Sequence, residues 1–233
     1  MDLDCDPLVK NGTDLLNPCG LVANSFFTDI IALQSTSYTM DESGISWASD
    51  SSRFSQVAGF ESVEITGVTT AINQTYCEDL LGSGANCYPY DGVASGGELY
   101  CFYYPDNDST QYLYETYPDQ ISPIEGVTNE HFIVWMRTAG LPSFRKLYGK
   151  IDGDFSEGEE LSFQVTCNFE VDSFDASKGL TLSTLGKMGG KNPFIGVAYV
   201  VVGSISFFLA LLFGTKYFLD PRRQGSAEFL HWD

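Results

Sequence analysis

The chain has 233 residues and a formal net charge of −19, from 31 Asp and Glu against 12 Lys and Arg. The charge is uneven: residues 1–190 carry 28 acidic and 8 basic side chains, whereas residues 191–233 carry 3 and 4. A domain this acidic repels polyphosphate chains, which excludes nucleic acid as a partner, and its 14% aromatic content excludes a disordered acidic tail.

In chain order, residues 1–17 are polar and turn-rich. Residues 21–33 are apolar with small side chains, and periodicity alone does not separate a helix from a strand pair. Residues 38–52, Ser- and Asp-rich around Trp47, read as loops and short strands. Residues 57–72 alternate loosely through Val63, Ile65 and Val68 and read as strand. Residues 77–97 form a Gly-, Ser- and Asn-rich loop. Residues 99–104 form a strand ended by Pro105, and residues 111–117 alternate through Tyr112, Tyr114 and Thr116. Residues 132–138 are almost continuously apolar, so a strand covered on both faces is expected. A short helical turn is expected at 143–148 and an acidic turn at 152–160. Residues 161–171 alternate Leu161, Phe163, Val165 and Cys167 on one face of a strand, and 179–184 form a further strand. Many short strands separated by turns define a mainly β fold, an antiparallel sandwich-like domain followed by one C-terminal transmembrane helix.

That helix is the plainest feature of the sequence. Residues 192–215 are 24 positions without a charge, enough to cross a hydrocarbon core of roughly 30 Å at about 1.5 Å per residue. Pro193 stands at its first turn, where the missing N–H costs nothing. The position excludes a signal peptide. Lys216, Arg222 and Arg223 follow closely and place the C-terminus in the cytoplasm. The expected organisation is a lumenal or extracellular domain at 1–190, a transmembrane helix at 191–219 and a cytoplasmic tail at 220–233.

Six cysteines, Cys5, Cys19, Cys77, Cys87, Cys101 and Cys167, lie outside the apolar run, an even count that suits an oxidising compartment. With no CxxC pair and only His131 and His231, a zinc site is not expected. N-glycosylation sequons begin at Asn11, Asn73 and Asn107. Cysteines, sequons and basic tail together put the large domain on the non-cytosolic side.

Several stretches of this sequence resemble one family. Asn17-Pro18-Cys19-Gly20-Leu21-Val22-Ala23-Asn24-Ser25-Phe26-Phe27 is similar to its Pro-Cys-Gly-x-x-Ala-Asn-Ser block. Residues 129–148, from Asn129-Glu130-His131-Phe132-Ile133-Val134-Trp135-Met136-Arg137 through Phe144-Arg145-Lys146-Leu147-Tyr148, resemble its central block at almost every position. Leu182-Ser183-Thr184 and Gly189-Gly190-Lys191-Asn192-Pro193-Phe194-Ile195-Gly196-Val197-Ala198-Tyr199 resemble the entry to its last membrane helix. Gly44-Ile45, Trp47 and Arg53-Phe54 give a weaker match. The family is that of the non-catalytic β-subunits of type IV P-type ATPases, the phospholipid flippases. Members have two membrane helices, and here the first is not seen before Cys5, so a fragment, a truncated gene model or a divergent single-span member is expected. Residues 62–119 align with nothing in the family. Thr28 and Gln164 stand where members often carry a sequon Asn.

The resemblance implies a heterodimer with a type IV P-type ATPase that moves aminophospholipid from the exoplasmic to the cytosolic leaflet. It implies a membrane-lipid environment, a place in the secretory pathway (endoplasmic reticulum, Golgi, endosome or plasma membrane), and a role in folding the ATPase and releasing it from the endoplasmic reticulum. It also implies a Cys5–Cys19 disulfide. Pairings among the other four stay open, with Cys77–Cys87 and Cys101–Cys167 the expected set. The only basic cluster, Arg137, Arg145, Lys146 and Lys150, is either a docking patch for acidic loops of the ATPase or a set of internal ion pairs. Gly196, Gly203 and Ala210 recur every seven residues and, with Asn192 and Pro193, form the expected helix-packing contact. No nucleophile motif, P-loop or aspartyl-phosphate motif occurs, so neither an enzyme nor a cofactor is expected. Asp152, Asp154, Glu157, Glu159 and Glu160 lack the Gly and closing Glu of an EF-hand and read as a solvated turn. A single-span receptor or adhesion ectodomain is the alternative that composition allows.

Overall fold

The computed structural model describes residues 5–67, 71–90, 99–105, 108–186, 189–190 and 193–219. Asn107, Asn192 and the tail 220–233 lie outside the described residues. The chain forms two units, Met1–Ser173 and Phe174–Asp233.

The first unit runs β1 (Lys10–Asn11), β2 (Asp14–Asn17), β3 (Ile30–Gln34), β4 (Met40–Asp41), α1 (Ala48–Ser51), β5 (Glu61–Glu64), α2 (Gln74–Leu81), β6 (Asn86–Tyr88), β7 (Tyr100–Tyr103), β8 (Thr110–Tyr112), α3 (Leu113–Thr116), α4 (Glu130–Met136), β9 (Lys150–Ile151) and β10 (Ser162–Thr166). The strands make small sheets, β1-β2-β8, β5-β7-β6, β3-β10 and β4-β9. Pairing is antiparallel except between β2 and β8. The second unit holds the β11 (Leu185–Gly186) and β12 (Gly189–Gly190) pair, then α5 (Pro193–Leu219). At 27 residues α5 is about 40 Å long, and Pro193 opens it. The mainly β domain with a C-terminal apolar helix is therefore observed.

The main core gathers Ala23, Phe26, Phe102, Tyr104, Tyr112, Leu113, Tyr114, Ile121 and Phe132. A second core holds Ile72, Cys77, Ala85, Cys87, Leu99 and Cys101 between α2 and the β6-β7 hairpin. Phe132 is the best buried large side chain. Phe26 and Phe54 meet its ring edge-on at 6.0 and 6.2 Å.

Several elements differ from expectation. Residues 132–138 are not a strand: α4 occupies Glu130–Met136. The Asn129 side chain accepts the Phe132 N–H at 3.1 Å, an N-cap, and Glu130 adds an acid to the first turn. Phe132 and Ile133 are buried while Trp135 and Met136 pack half-buried on the same core, a helical face rather than a two-sided strand. Residues 74–81, expected partly as loop, form α2, which the Asn73 side chain caps by accepting the Tyr76 N–H at 3.0 Å. Tyr112 ends β8, and Tyr114 lies in the single turn α3. Residues 143–148 make no helical turn and 179–184 make no strand.

Two expected disulfides are corrected. Cys5–Cys19 forms, but the second bridge is Cys77–Cys101. Neither Cys77–Cys87 nor Cys101–Cys167 forms; Cys87 stays a buried thiol and Cys167 an exposed one. The reason is topological: α2 lays Cys77 against β7, whereas Cys167 follows β10 in a different sheet.

Because Phe132 joins the aromatic core to α4, Phe132→Ala is expected to destabilise the domain by about 3–5 kcal/mol. Thermal unfolding of the purified protein measures this, and an unchanged Tm contradicts it.

Candidate docking site

Helix α4 is too short to persist alone, and each of its ends is fastened by a side chain from elsewhere. At the N-terminal end, the Glu130 carboxylate accepts the Gly44 N–H at 2.8 Å, the Ser46 N–H at 2.9 Å and the Ser46 hydroxyl at 2.9 Å. Partial desolvation disfavours the charge, but the Ser46 and Gly44 donors outweigh it and hold the carboxyl below the ordinary glutamate range. At the C-terminal end, the Lys146 ammonium donates to the carbonyls of Val134 (2.8 Å), Trp135 (2.8 Å) and Arg137 (2.5 Å). These are the orphan acceptors that end every helix, at its negative pole. Burial, with the nearby Arg137 charge, pushes the Lys146 pKa down.

Two further contacts hold the segment to its neighbours. Arg137 lies over the Trp47 ring at 4.9 Å, with its Nε 3.7 Å from Asp50. Trp135 donates from Nε1 to the Val22 carbonyl at 3.2 Å and stacks on Phe27. Asn24 donates to the Pro18 and Gly20 carbonyls at 3.1 and 2.8 Å, closing the turn at Cys19, where Gly20 has φ +96°. His131 meets Glu42 at 2.8 Å.

Around the C-terminal end of α4 lies a hollow of about 310 Å³, lined by Ile45, Trp47, Ile133, Arg137, Phe144 and Arg145 among others. Two of its aromatic lining groups are open to solvent: Trp47 is 66% exposed and Phe144 52%. Exposed aromatic and aliphatic groups beside arginines have the composition of protein–protein contact surfaces.

The four cations singled out in the sequence thus separate in role. Lys146 is turned into the fold. Lys150 donates to the Ser43 and Gly44 carbonyls. Arg137 is shared between Trp47 and Asp50, while Arg145 is exposed on the rim. Trp47, Asp50 and Glu130 also belong to this site, a role the sequence does not reveal; the Asn129-Glu130 pair before an apolar run is the signal that marks the helix start.

Of the sequons, Asn11 is exposed on β1 and donates to Gln111 at 2.8 Å. Asn73 is exposed and caps α2 through its side-chain oxygen, leaving Nδ2 for a glycan. On α5, a Cβ at Gly196 or Gly203 meets nothing within 4 Å. Ser204 bonds back to the Val200 carbonyl at 2.7 Å. Among the described residues, no group of three His, Cys, Asp or Glu is placed to hold a metal ion. In the acidic turn, Tyr38 donates to the Asp154 carbonyl and Glu159 accepts the Ser156 N–H.

A disulfide-bonded, mainly β domain joined to a helix long and apolar enough to span a bilayer defines a class of membrane-anchored protein. Residues 1–223 match the LEM3 (ligand-effect modulator 3) family / CDC50 family, and the chain belongs to it. It is 33% identical to ALA-interacting subunit 3 of Arabidopsis thaliana over 98% of its length and 53% of that protein. It is also 33% identical to Cell cycle control protein 50A of Bos taurus over 90% of its length and 52% of that protein. The Phospholipid-transporting ATPase accessory subunit CDC50 of Chaetomium thermophilum is 27% identical over the whole chain and 51% of that protein. The chain spans about half the length of the relatives it matches.

Lys146→Met keeps the aliphatic stem and removes three donor bonds. It is expected to lower stability by about 1–3 kcal/mol, read by thermal unfolding. Glu130 has a folded pKa below its unfolded one, so its contribution is complete above the unfolded value and is lost as pH falls through the folded one. The unfolding midpoint of the wild type is therefore expected to fall more steeply than that of Glu130→Gln between neutral pH and pH near 3; parallel curves contradict it.

Proposed function

We propose that the chain is the non-catalytic accessory subunit of a phospholipid-transporting P-type ATPase. In this reading it supports the folding of the ATPase, its exit from the endoplasmic reticulum and its movement of aminophospholipid toward the cytosolic leaflet. The observation that carries the reading is the family match over residues 1–223, together with relatives named as ALA-interacting and ATPase accessory subunits. The large domain lies in the lumen or outside the cell, and the C-terminus in the cytosol. Its disulfides support that side, because such bonds persist in oxidising compartments. The subunit itself binds neither nucleotide nor catalytic metal.

Contact with the ATPase is made in two places. Arg145 and Arg137, with Trp47 and Phe144 beside them, receive an acidic loop on the non-cytosolic side. These arginines stand in a domain whose sequence is strongly acidic, so a carboxylate-bearing loop is favoured there and in few other places. Within the bilayer, Gly196, Gly203 and Ala210 allow a partner helix to approach closely, and Asn192 and Pro193 mark where that contact begins.

Affinity purification of the tagged chain from gentle detergent, with both subunits at native expression, tests the pairing. Recovery of a P-type ATPase is expected; its absence returns the protein to the receptor class. Arg145→Glu is expected to lower that recovery roughly tenfold, about 1.4 kcal/mol, with no change in unfolding temperature. Gly203→Leu lowers recovery as well, and unchanged recovery removes the small-residue stripe from the interface.

A further inference from the structure

The second core contains three cysteines, not two. Cys77 and Cys101 are fully buried and bonded to each other, and Cys87 is 5% exposed in the same cluster. Cys87 stands directly opposite Cys101 in the antiparallel β6-β7 ladder. Opposite residues share a face of the sheet and hold their Cα atoms about 4.5–5.5 Å apart. That lies within the roughly 4.4–6.8 Å that a disulfide accepts, and the existing bond spans 5.2 Å between Cys77 and Cys101. Cys101 therefore has two partners at bonding distance, one on the helix and one across the hairpin. The Cys87 thiol rests against the Tyr90 carbonyl at 3.8 Å.

We propose that Cys77, Cys87 and Cys101 form a thiol–disulfide exchange centre with two covalent states. The Cys87 thiolate attacks the Cys101 sulfur; the Cys87–Cys101 bond forms as the Cys77–Cys101 bond breaks. Cys77 leaves as a thiolate and takes up one proton in place of the one Cys87 released. No electron is gained or lost, so the exchange needs no oxidant or reductant. Three sulfurs make one bond at a time, so one thiol always remains to reverse the step.

The two states differ in what they fasten. The Cys77–Cys101 bond staples α2, with the Asn73 sequon at its cap, to β7 across 24 residues of sequence. The Cys87–Cys101 bond staples only the β6-β7 hairpin and leaves α2 held by packing. Because both sulfurs of the present bond are sealed, exchange proceeds through local opening of this subdomain rather than through the native surface. The inference is independent of the ATPase reading: it concerns the covalent state of the domain, not what the domain binds.

The test is disulfide mapping of the full-length chain expressed through the secretory pathway. Thiols are blocked with N-ethylmaleimide in denaturant at harvest, and peptides are analysed without reduction. In Cys77→Ser, a Cys87–Cys101 peptide is expected, made by the disulfide donors that form the native bond, with near-complete loss of Cys87 alkylation. Alkylation of both Cys87 and Cys101 in a folded Cys77→Ser protein overturns the proposal. Should that variant not fold, the wild type decides after incubation at mildly alkaline pH. Cys77 alkylation rising one for one as Cys87 alkylation falls, and absent from Cys87→Ser, supports the exchange. Label confined to Cys87, or appearing on Cys101 in place of Cys77, overturns it.

Discussion

The hold that Lys146 and Glu130 exert on the two ends of α4 is the constraint on which the rest of the domain rests. A helix of seven residues does not form in water, since nucleation costs more than so few bonds return. Glu130 reaches to the Gly44–Ser46 backbone and Lys146 closes the final carbonyls. With the helix fixed, Phe132 is delivered to the core, Trp135 to the Phe27 ring and the Val22 carbonyl, and Arg137 to Trp47. Residues 17–27, 44–54 and 129–148 thus converge on a single element. This gives a physical reason for the separate blocks of family resemblance: each supplies one side of the same junction.

A domain built from small sheets leaves much backbone outside any ladder, and buried polar groups of that backbone must find partners. Side chains supply them. Tyr104 donates to the Pro123 carbonyl at 2.8 Å, and Tyr112 donates to that of Pro105. Tyr117 and Tyr148 accept from the N–H groups of Phe26 and Ile31. Asp29 accepts two, from Asn168 and Phe169, both at 2.7 Å. No buried side-chain nitrogen or oxygen among the described residues lacks a partner. The tyrosines therefore serve twice, as apolar mass in the core and as donors or acceptors for its loops.

The strands with clear alternation and the apolar helix were legible from sequence because their signals are local. Residues 99–104 are rich in aromatics and closed by Pro105, residues 161–171 alternate, and β7 and β10 lie there. α5 begins at Pro193, two residues inside the 191–219 span expected from sequence, and ends at Leu219. The misread segment, 132–138, shows the limit. Phe132, Ile133, Val134, Trp135 and Met136 form a short apolar run in which a period of two and one of 3.6 look alike. The distinction lies in the Asn129 cap and in Lys146, ten residues beyond Met136. The cap is a weak sequence signal, and the lysine's role depends on how the chain returns. The cysteine pairing failed for a related reason: which sulfur faces Cys101 is set by the docking of α2 on the β6-β7 hairpin, and spacing carries no record of it.

The basic cluster resolves along the same line, between what the fold consumes and what it leaves outside. Lys146, half-buried, and Lys150, exposed, are both spent on backbone carbonyls. Arg137 is partly spent, since Asp50 and the Trp47 face compensate its charge at modest distance. Arg145 lines the hollow beside Phe144, and both are exposed. The charge left for the proposed partner is thus much smaller than the sequence count of cations suggests, and in that docking apolar contact would supply more of the affinity. In the docking proposed above, charge would steer the encounter and the aromatic centre would hold it, with Trp47 and Phe144 carrying most of the strength and Arg145 selecting the loop.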